Sequence, residues 1–428
     1  MANPGKEELE AEARAAVLVR RSDLPVPLAH RARSFLGGLP RLPPEFDWPR
    51  ADVAADEEKE KETVALTFIA QIDLSDLPQL DASVLPKSGT LYFFASSAFV
   101  GEPCCRVLYY HGNADALPQR EPPPDLMPLG RDGGFSQVKW LDPATDLHAK
   151  VEFKYPLSFL PFRDFAFYQD PVGGELLVGS LCEALGPGEP LERDMLKWRR
   201  AEEYVKDEDW PFNWLLITHV ARAALSRARA GLKPPYRKPF TDETKATLQL
   251  IEAGASRWLE RSAGLAPLDG VDADTRAGFR TWWADVARKY AEMDRQLWTT
   301  PGNIPEELGE AINHTIRCMA ADYEGALDRA PRSYVTNLER QNHWKTPTVK
   351  QGTYRSFDTQ IHQILGYGSS CQGAPEEHRD DVLLLQLQGE EAFFDWHTNI
   401  GCVLHYWIGR DALARLDFSQ VEGTFECD

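Results

Sequence analysis

Long apolar runs are missing from this chain. No stretch approaches the roughly 18 to 20 consecutive apolar residues that a bilayer-crossing helix needs, and the opening Asn3-Pro-Gly-Lys-Glu-Glu-Leu-Glu10 is too acidic for a secretory leader. A soluble, cytoplasmic protein with no membrane partner is expected. Cysteine is scarce as well. The seven residues Cys104, Cys105, Cys182, Cys318, Cys371, Cys402 and Cys427 are odd in number and irregular in spacing, with no C-x-x-C pair, which makes a poor disulfide framework. Reduced thiols are expected, and vicinal Cys104-Cys105 reads as strand packing beside Val107, Tyr109 and Tyr110.

Positive charge is in short supply. The chain has 47 Lys and Arg against 66 Asp and Glu, a net charge of -19. Phosphate recognition works through basic side chains that displace counterions, so no nucleic-acid partner is expected. The same field favours a basic protein partner, although net negative charge also serves solubility alone. Common chemical motifs are absent too: there is no G-x-x-x-x-G-K-[ST] loop, no G-x-G-x-x-G after a strand, no H-E-x-x-H and no G-x-S-x-G. Nucleotide, zinc-protease and serine-hydrolase readings lose their support, and no cofactor is expected.

What the chain has in quantity is apolar surface: 43% of its 428 residues are hydrophobic and 11% aromatic, enough for one elaborated domain or two closely packed ones. Leu9, Ala13, Ala16 and Val17 at helical spacing predict an opening amphipathic helix over 6–21. The charge run at 54–62 reads as a solvated loop. Short apolar or alternating runs at 64–72, 90–95, 106–110, 149–153 and 175–178, separated by Gly and Pro turn signals, predict strands of a mainly antiparallel sheet. After residue 190 the period turns helical, with helices expected at 241–262, along the stripe from Phe279 to Leu297, and from Pro305 onward. Strand period returns at 382–387, 402–408 and 421–426. The order strands, helices, strands implies an α+β protein with an inserted helical region.

Several polar groupings are candidate sites. Gly37-Gly38 is either a backbone nest for an anion or a tight turn. Gln71 and Asp73, two apart on a strand, share one face and could line a pocket, or Asp73 could end the strand and cap a short helix. His362-Gln363 precedes a loop holding Cys371, His378, Arg379, Asp380 and Asp381, from which a Cys-His pair can be drawn; a flexible turn is the plainer reading. Asp395-Trp-His397-Thr-Asn399, with His405 beyond it, suits either a hydrogen-bonded hairpin or a metal site from His397, His405 and Asp395. Seven tryptophans, Trp198, Trp210, Trp214, Trp258, Trp282, Trp283 and Trp298, fall in the helical region as core stripe or partner surface.

Two distant stretches carry a family resemblance. The first comprises Ser34-Phe-Leu-Gly-Gly-Leu-Pro40, Trp48-Pro49, Leu66-Thr-Phe-Ile-Ala-Gln-Ile-Asp-Leu74 and Leu85-Pro-Lys-Ser-Gly-Thr-Leu-Tyr-Phe-Phe94. The second comprises Ile361-His-Gln-Ile-Leu-Gly-Tyr367, Asp381-Val-Leu-Leu-Leu-Gln-Leu387, Asp417-Phe-Ser419 and Gly423-Thr-Phe-Glu-Cys427. Together they resemble the YwqG family. The resemblance implies a mainly antiparallel sheet built from 1–180 and 350–428, with 181–349 inserted as helices. It also implies a small cytoplasmic bacterial protein of no established activity, some relatives of which sit near toxin and immunity clusters. Where that family reads Trp-Gly-Asp-x-Gly before a strand, this chain has His397 and Asn399, which puts a shared carboxylate role in doubt.

These readings lead to a non-catalytic protein-binding module of immunity type, neutralising a basic partner such as a toxin. Two alternatives stand beside it. One is a small-molecule or metal-dependent enzyme with a pocket from Gln71, Asp73, Arg163, His362, Asp395 and His397. The other is a structural subunit of an assembly.

Overall fold

The computed structural model describes residues 5–53, 62–80, 84–96, 104–129, 138, 140–166, 171–186, 201–232, 241–296, 304–342, 361–369, 372–389 and 402–426. The chain divides into two compact units: Met1–Ser136, Pro143–Glu192 and Asn342–Asp428 form one, and Gln137–Asp142 with Arg193–Gln341 form the other.

The first unit is α+β. Its strands are β1 (Arg14–Arg21), β2 (Phe35–Leu36), β3 (Arg50–Val53), β4 (Glu62–Ala65), β5 (Thr67–Asp73), β6 (Thr90–Ala95), β7 (Cys105–Tyr110), β8 (Tyr155–Asp164), β9 (Gln363–Leu365), β10 (Val382–Gln388), β11 (Val403–Ile408) and β12 (Glu422–Glu426). Ten of them pair in the order β12-β11-β10-β9-β1-β8-β2-β5-β6-β7, and β3 pairs with β4 separately. The pairings are antiparallel.

Three expectations give way here. Helix α1 (Lys6–Glu12) stops short of residue 21, and Ala16 and Val17 lie on β1. Ala16, Val17, Leu18 and Val19 are all buried, a continuous apolar run that a strand covered on both faces accommodates and a one-sided helix does not. Residues 149–153 are not a strand: Leu147–Ala149 makes a tight 3-10 turn, Lys154 makes an isolated bridge to Val26, and β8 begins at Tyr155. Residues 175–178 belong to helix α2 (Pro171–Leu185). Proline at its first position needs no donor there, and Leu177 and Leu181, four apart, pack with Ala16, Leu18, Phe162 and Phe165.

β8 carries Pro156 and Pro161 and still joins the sheet. Leu157 directs its N–H to the Ser34 carbonyl, on the β2 side. Pro161, four residues on, shares that orientation, and β2 pairs only as far as Tyr155 and Pro156, so its missing donor breaks no bond with β1.

Opposite faces of the sheet bury different aromatics. Neighbours on β6 point opposite ways. Phe94 meets Trp48 at 5.4 Å and Phe68 at 5.5 Å between ring centroids, while Phe93 meets Tyr406 of β11 at 5.1 Å. Strands from the two ends of the pairing order thus share one aromatic core.

The second unit is helical: α3 (Ala201–Tyr204), α4 (Trp214–Leu232), α5 (Asp242–Ser262), α6 (Ala273–Gln296), α7 (Ile304–Ala321) and α8 (Arg332–Asn342, which runs one residue past its boundary). Side-chain caps set the starts. Asn213 accepts the Leu216 N–H at 2.9 Å, Thr241 the Thr244 N–H at 3.2 Å, and Asp272 the Thr275 N–H at 2.8 Å. α4 packs along both α5 and α7. Its small buried residues Ala221, Ala224 and Ala228 keep the approach close, and a side chain at Gly231 would stand 3.0 Å from Leu248.

Candidate functional site

The residues singled out in the sequence fall at separate places. Gly37 and Gly38 adopt positive φ of 62° and 67°. Their amides donate to the Ile69 and Glu152 carbonyls at 2.9 Å, so both N–H groups are already used within the fold. A Cβ on Gly37 would lie 2.1 Å from the Phe153 carbonyl oxygen, which is why glycine stands there.

Gln71 is buried on β5, where its Oε1 accepts the Arg41 N–H and its Nε2 donates to the Arg33 carbonyl, both at 2.9 Å. Asp73 accepts the Ser75 N–H at 2.9 Å and caps the 3-10 turn Leu74–Asp76. Arg33 reaches Asp73 at 3.5 Å and also pairs with Asp76.

Close by lies a cation that sequence reading missed. Lys154 is buried, donates from Nζ to the Leu28 and His30 carbonyls at 3.2 and 2.6 Å, and sits 4.2 Å from the Phe35 ring centroid. Burial, helped by Arg41, pushes its pKa down to about 8. Its sequence context, a lysine before an alternating strand, gave no sign of burial.

Arg163 is exposed on β8, donating to the Glu10 carbonyl at 2.8 Å. His362 is buried just before β9, with Nδ1 accepting the Gln388 N–H at 3.0 Å. From β9 to β5 the order passes through β1, β8 and β2, about 19 Å measured along the sheet at ~4.8 Å per strand. Gln71 and Asp73 are neighbours; His362 and Arg163 do not join them. Asp395 and His397 lie outside the described residues, as do Cys371 and Asn399.

His405 is held in a polar chain. Trp407 Nε1 donates to Thr424 Oγ1 at 3.0 Å, so the Thr424 hydroxyl proton is available to His405 Nδ1 at 3.1 Å. His405 Nε2 then donates to the Ser369 carbonyl at 3.0 Å. Both ring nitrogens are engaged and the imidazole is neutral; burial lowers its pKa to about 3. Gln386 completes the arrangement, accepting the Ser369 N–H at 2.6 Å and donating to the Ile361 carbonyl at 2.7 Å.

A deeper polar centre joins the two sequence segments. Asp164, at the end of β8, is buried, and its Oδ2 accepts from Gln363 Nε2 at 2.9 Å, the Tyr367 N–H at 2.7 Å and the Gly368 N–H at 3.3 Å. Its Oδ1 accepts the Phe165 N–H at 2.9 Å. Burial raises its pKa and these bonds pull against that rise. A Cβ on Gly366, φ 82°, would stand 2.4 Å from the carboxylate.

The thiols divide. Cys105 is buried on β7, and burial pushes its pKa up, in keeping with strand packing. Cys402 is disulfide-bonded, contrary to the expectation of uniformly reduced thiols.

The helical unit holds a grouping that the sequence did not announce. His219 on α4 and His314 and Cys318 on α7 are buried, with one ligand atom from each lying within 4.8 Å of the others. Trp140 packs against both imidazoles, with ring centroids 5.1 Å from each. Burial, with Arg222 adding, lowers the His219 pKa to about 3. The available signal was the H-x-x-x-C spacing on α7, which places both donors on one helix face. Its partner 95 residues earlier required knowing that α4 packs on α7.

The chain matches the family described as domain of unknown function (DUF1963) over residues 34–179 and 271–427. The second segment opens at residue 271, within the helical unit, so α6, α7 and α8 lie inside the match and α4 and α5 outside it. No curated protein matches the chain.

Proposed function

The chain belongs to the DUF1963 family, and we propose that it is a non-catalytic protein-binding module that engages a basic protein segment on the outer face of α5 and α6. The observation that carries this reading is an aromatic and aliphatic stripe that the helical core leaves half covered. Leu250, Gly254 and Trp258 recur every fourth residue on α5 and so share a face. Leu250 is 61% exposed, and Trp258 and Trp282 are only half-buried, 6.3 Å apart between ring centroids. Gly254 makes room for the Trp282 indole, which a Cβ there would meet at 2.4 Å. Arg261 lies 5.3 Å from the Trp258 ring centroid, and Leu265 is 44% exposed.

Tryptophan and arginine are the residues that most often dominate binding energy at protein interfaces. With a net charge of -19, long-range attraction steers a basic partner toward the molecule, and the aromatic stripe supplies the short-range hold. The YwqG resemblance adds the partner class: a toxin with a basic surface, for which this protein is the immunity factor.

Chemical crosslinking with mass spectrometry, on complexes captured by the full chain from its native host, tests the reading. The expected result is a stoichiometric basic protein crosslinked to α5 and α6 and lost in Leu250→Asp. Absence of a salt-sensitive partner, or crosslinks that leave α5 and α6 untouched, overturns it.

A further inference from the structure

We propose that His219, His314 and Cys318 form a binding site for a thiophilic divalent cation of the zinc type, which ties α4 to α7. This goes beyond the partner-binding reading and does not depend on it. Two imidazoles and a thiol are the donors that zinc selects, and three protein ligands with a solvent-derived fourth make a complete tetrahedral set. All three side chains are buried, and the donor atoms lie within 4.8 Å of one another. In a tetrahedral zinc site with Zn–N near 2.0 Å and Zn–S near 2.3 Å, two nitrogens and one sulfur stand about 3.3 to 3.5 Å apart. Closing the difference takes about 1 Å of side-chain movement. The helix spacing of His314 and Cys318, i and i+4, lets them hold one ion without bending α7.

Hydrogen bonding sets the tautomer of one ligand in advance. Thr315 Oγ1 donates its only proton to the Ala311 carbonyl, 2.6 Å away. At its 2.9 Å contact with His219 Nδ1 it can therefore only accept, so Nδ1 carries the proton and Nε2 keeps the lone pair. Imidazole ligands of metals characteristically anchor their second nitrogen this way. Thr315 is thus a positioning residue for His219 and not itself a ligand.

An independent observation comes from Trp140. Its indole Nε1–H is buried and, among the described residues, has no hydrogen-bond partner. The indole belongs to the same compact unit and contacts both imidazoles. A hydroxide or water held as the fourth ligand supplies the acceptor that this donor lacks. His314 and Cys318 lie inside the family match and His219 outside it, so the ion would join an α7 common to the matched segment with the intervening α4.

The test uses the full chain without a histidine tag, stripped of metal and titrated with Zn2+ and with Co2+. One equivalent is expected to bind, with a thiolate-to-Co2+ charge-transfer band and a thermal midpoint raised by about 5 to 10 °C at saturating Zn2+. X-ray absorption of the zinc-loaded native chain is expected to show one sulfur with nitrogen and oxygen neighbours, a readout that needs no variant. Cys318→Ser abolishes the charge-transfer band. Thr315→Val keeps the band and weakens binding by about 10- to 100-fold, a pattern that a merely structural role for Thr315 would not produce. A shell without sulfur, a band surviving in Cys318→Ser, or no stoichiometric binding by the native chain overturns the site.

Discussion

Asp164 shows how much one side chain carries in this fold. It lies between β8 and the turn after β9, so its bonds to Gln363, Tyr367 and Gly368 connect the two segments that the family shares. Removing it strands buried N–H groups. Asp164→Ala should lower stability by about 3 to 5 kcal/mol, read from urea unfolding. His405 adds a pH dependence. Its folded pKa of about 3 lies below the unfolded value of 6.5, so the unfolded chain takes up the proton first. Its stabilising share is complete above pH 6.5 and is lost as pH falls toward 3, at about 1.4 kcal/mol per pH unit within that window. Urea midpoints measured between pH 6.5 and 5 should fall less steeply in His405→Asn than in the native chain. At this scale little was legible in advance. Gln71, Asp73 and His362 were visible as polar residues beside apolar runs, but whether such a group lines a pocket or satisfies a backbone depends on partners 25 to 40 residues away, as with Gln71 and Arg33.

Elements were read well where a period ran long and poorly where it ran short. The helices α5, α6 and α7 show sustained apolar stripes and fall close to the expected spans, as do β6, β7, β10, β11 and β12. Residues 175–178 misled because four residues fit either period, and the Leu177 and Leu181 spacing that marks α2 becomes informative only over its full length. At β1 the error ran the other way: small and β-branched residues buried on both faces imitate a helical face when only some are counted. Leu181 is fully buried in that core, and Leu181→Ala should cost about 2 to 5 kcal/mol in chemical denaturation. Leu250, being mostly exposed, provides the contrast. Leu250→Asp should leave stability within about 0.5 kcal/mol of the native chain while weakening partner binding.

For the whole molecule, the α+β class and the strand-helix-strand order could be read from the chain. The division into units was less accessible, because Gln137–Asp142 belongs with the helices although its neighbours on both sides belong with the sheet, and nothing local in composition marks that excursion. The proposed function acts at this scale: in that proposal a net charge of -19 would govern encounter, and the face of α5 and α6 retention. The most direct measurement is the affinity of the captured basic partner for the native chain and for Trp258→Ala, each at about 50 mM and about 500 mM salt, with folding verified by circular dichroism. The proposal predicts at least tenfold weaker binding at the higher salt. It also predicts a further loss of about 30-fold, near 2 kcal/mol, on removing Trp258. An affinity indifferent to salt and to Trp258 in folded protein would contradict it.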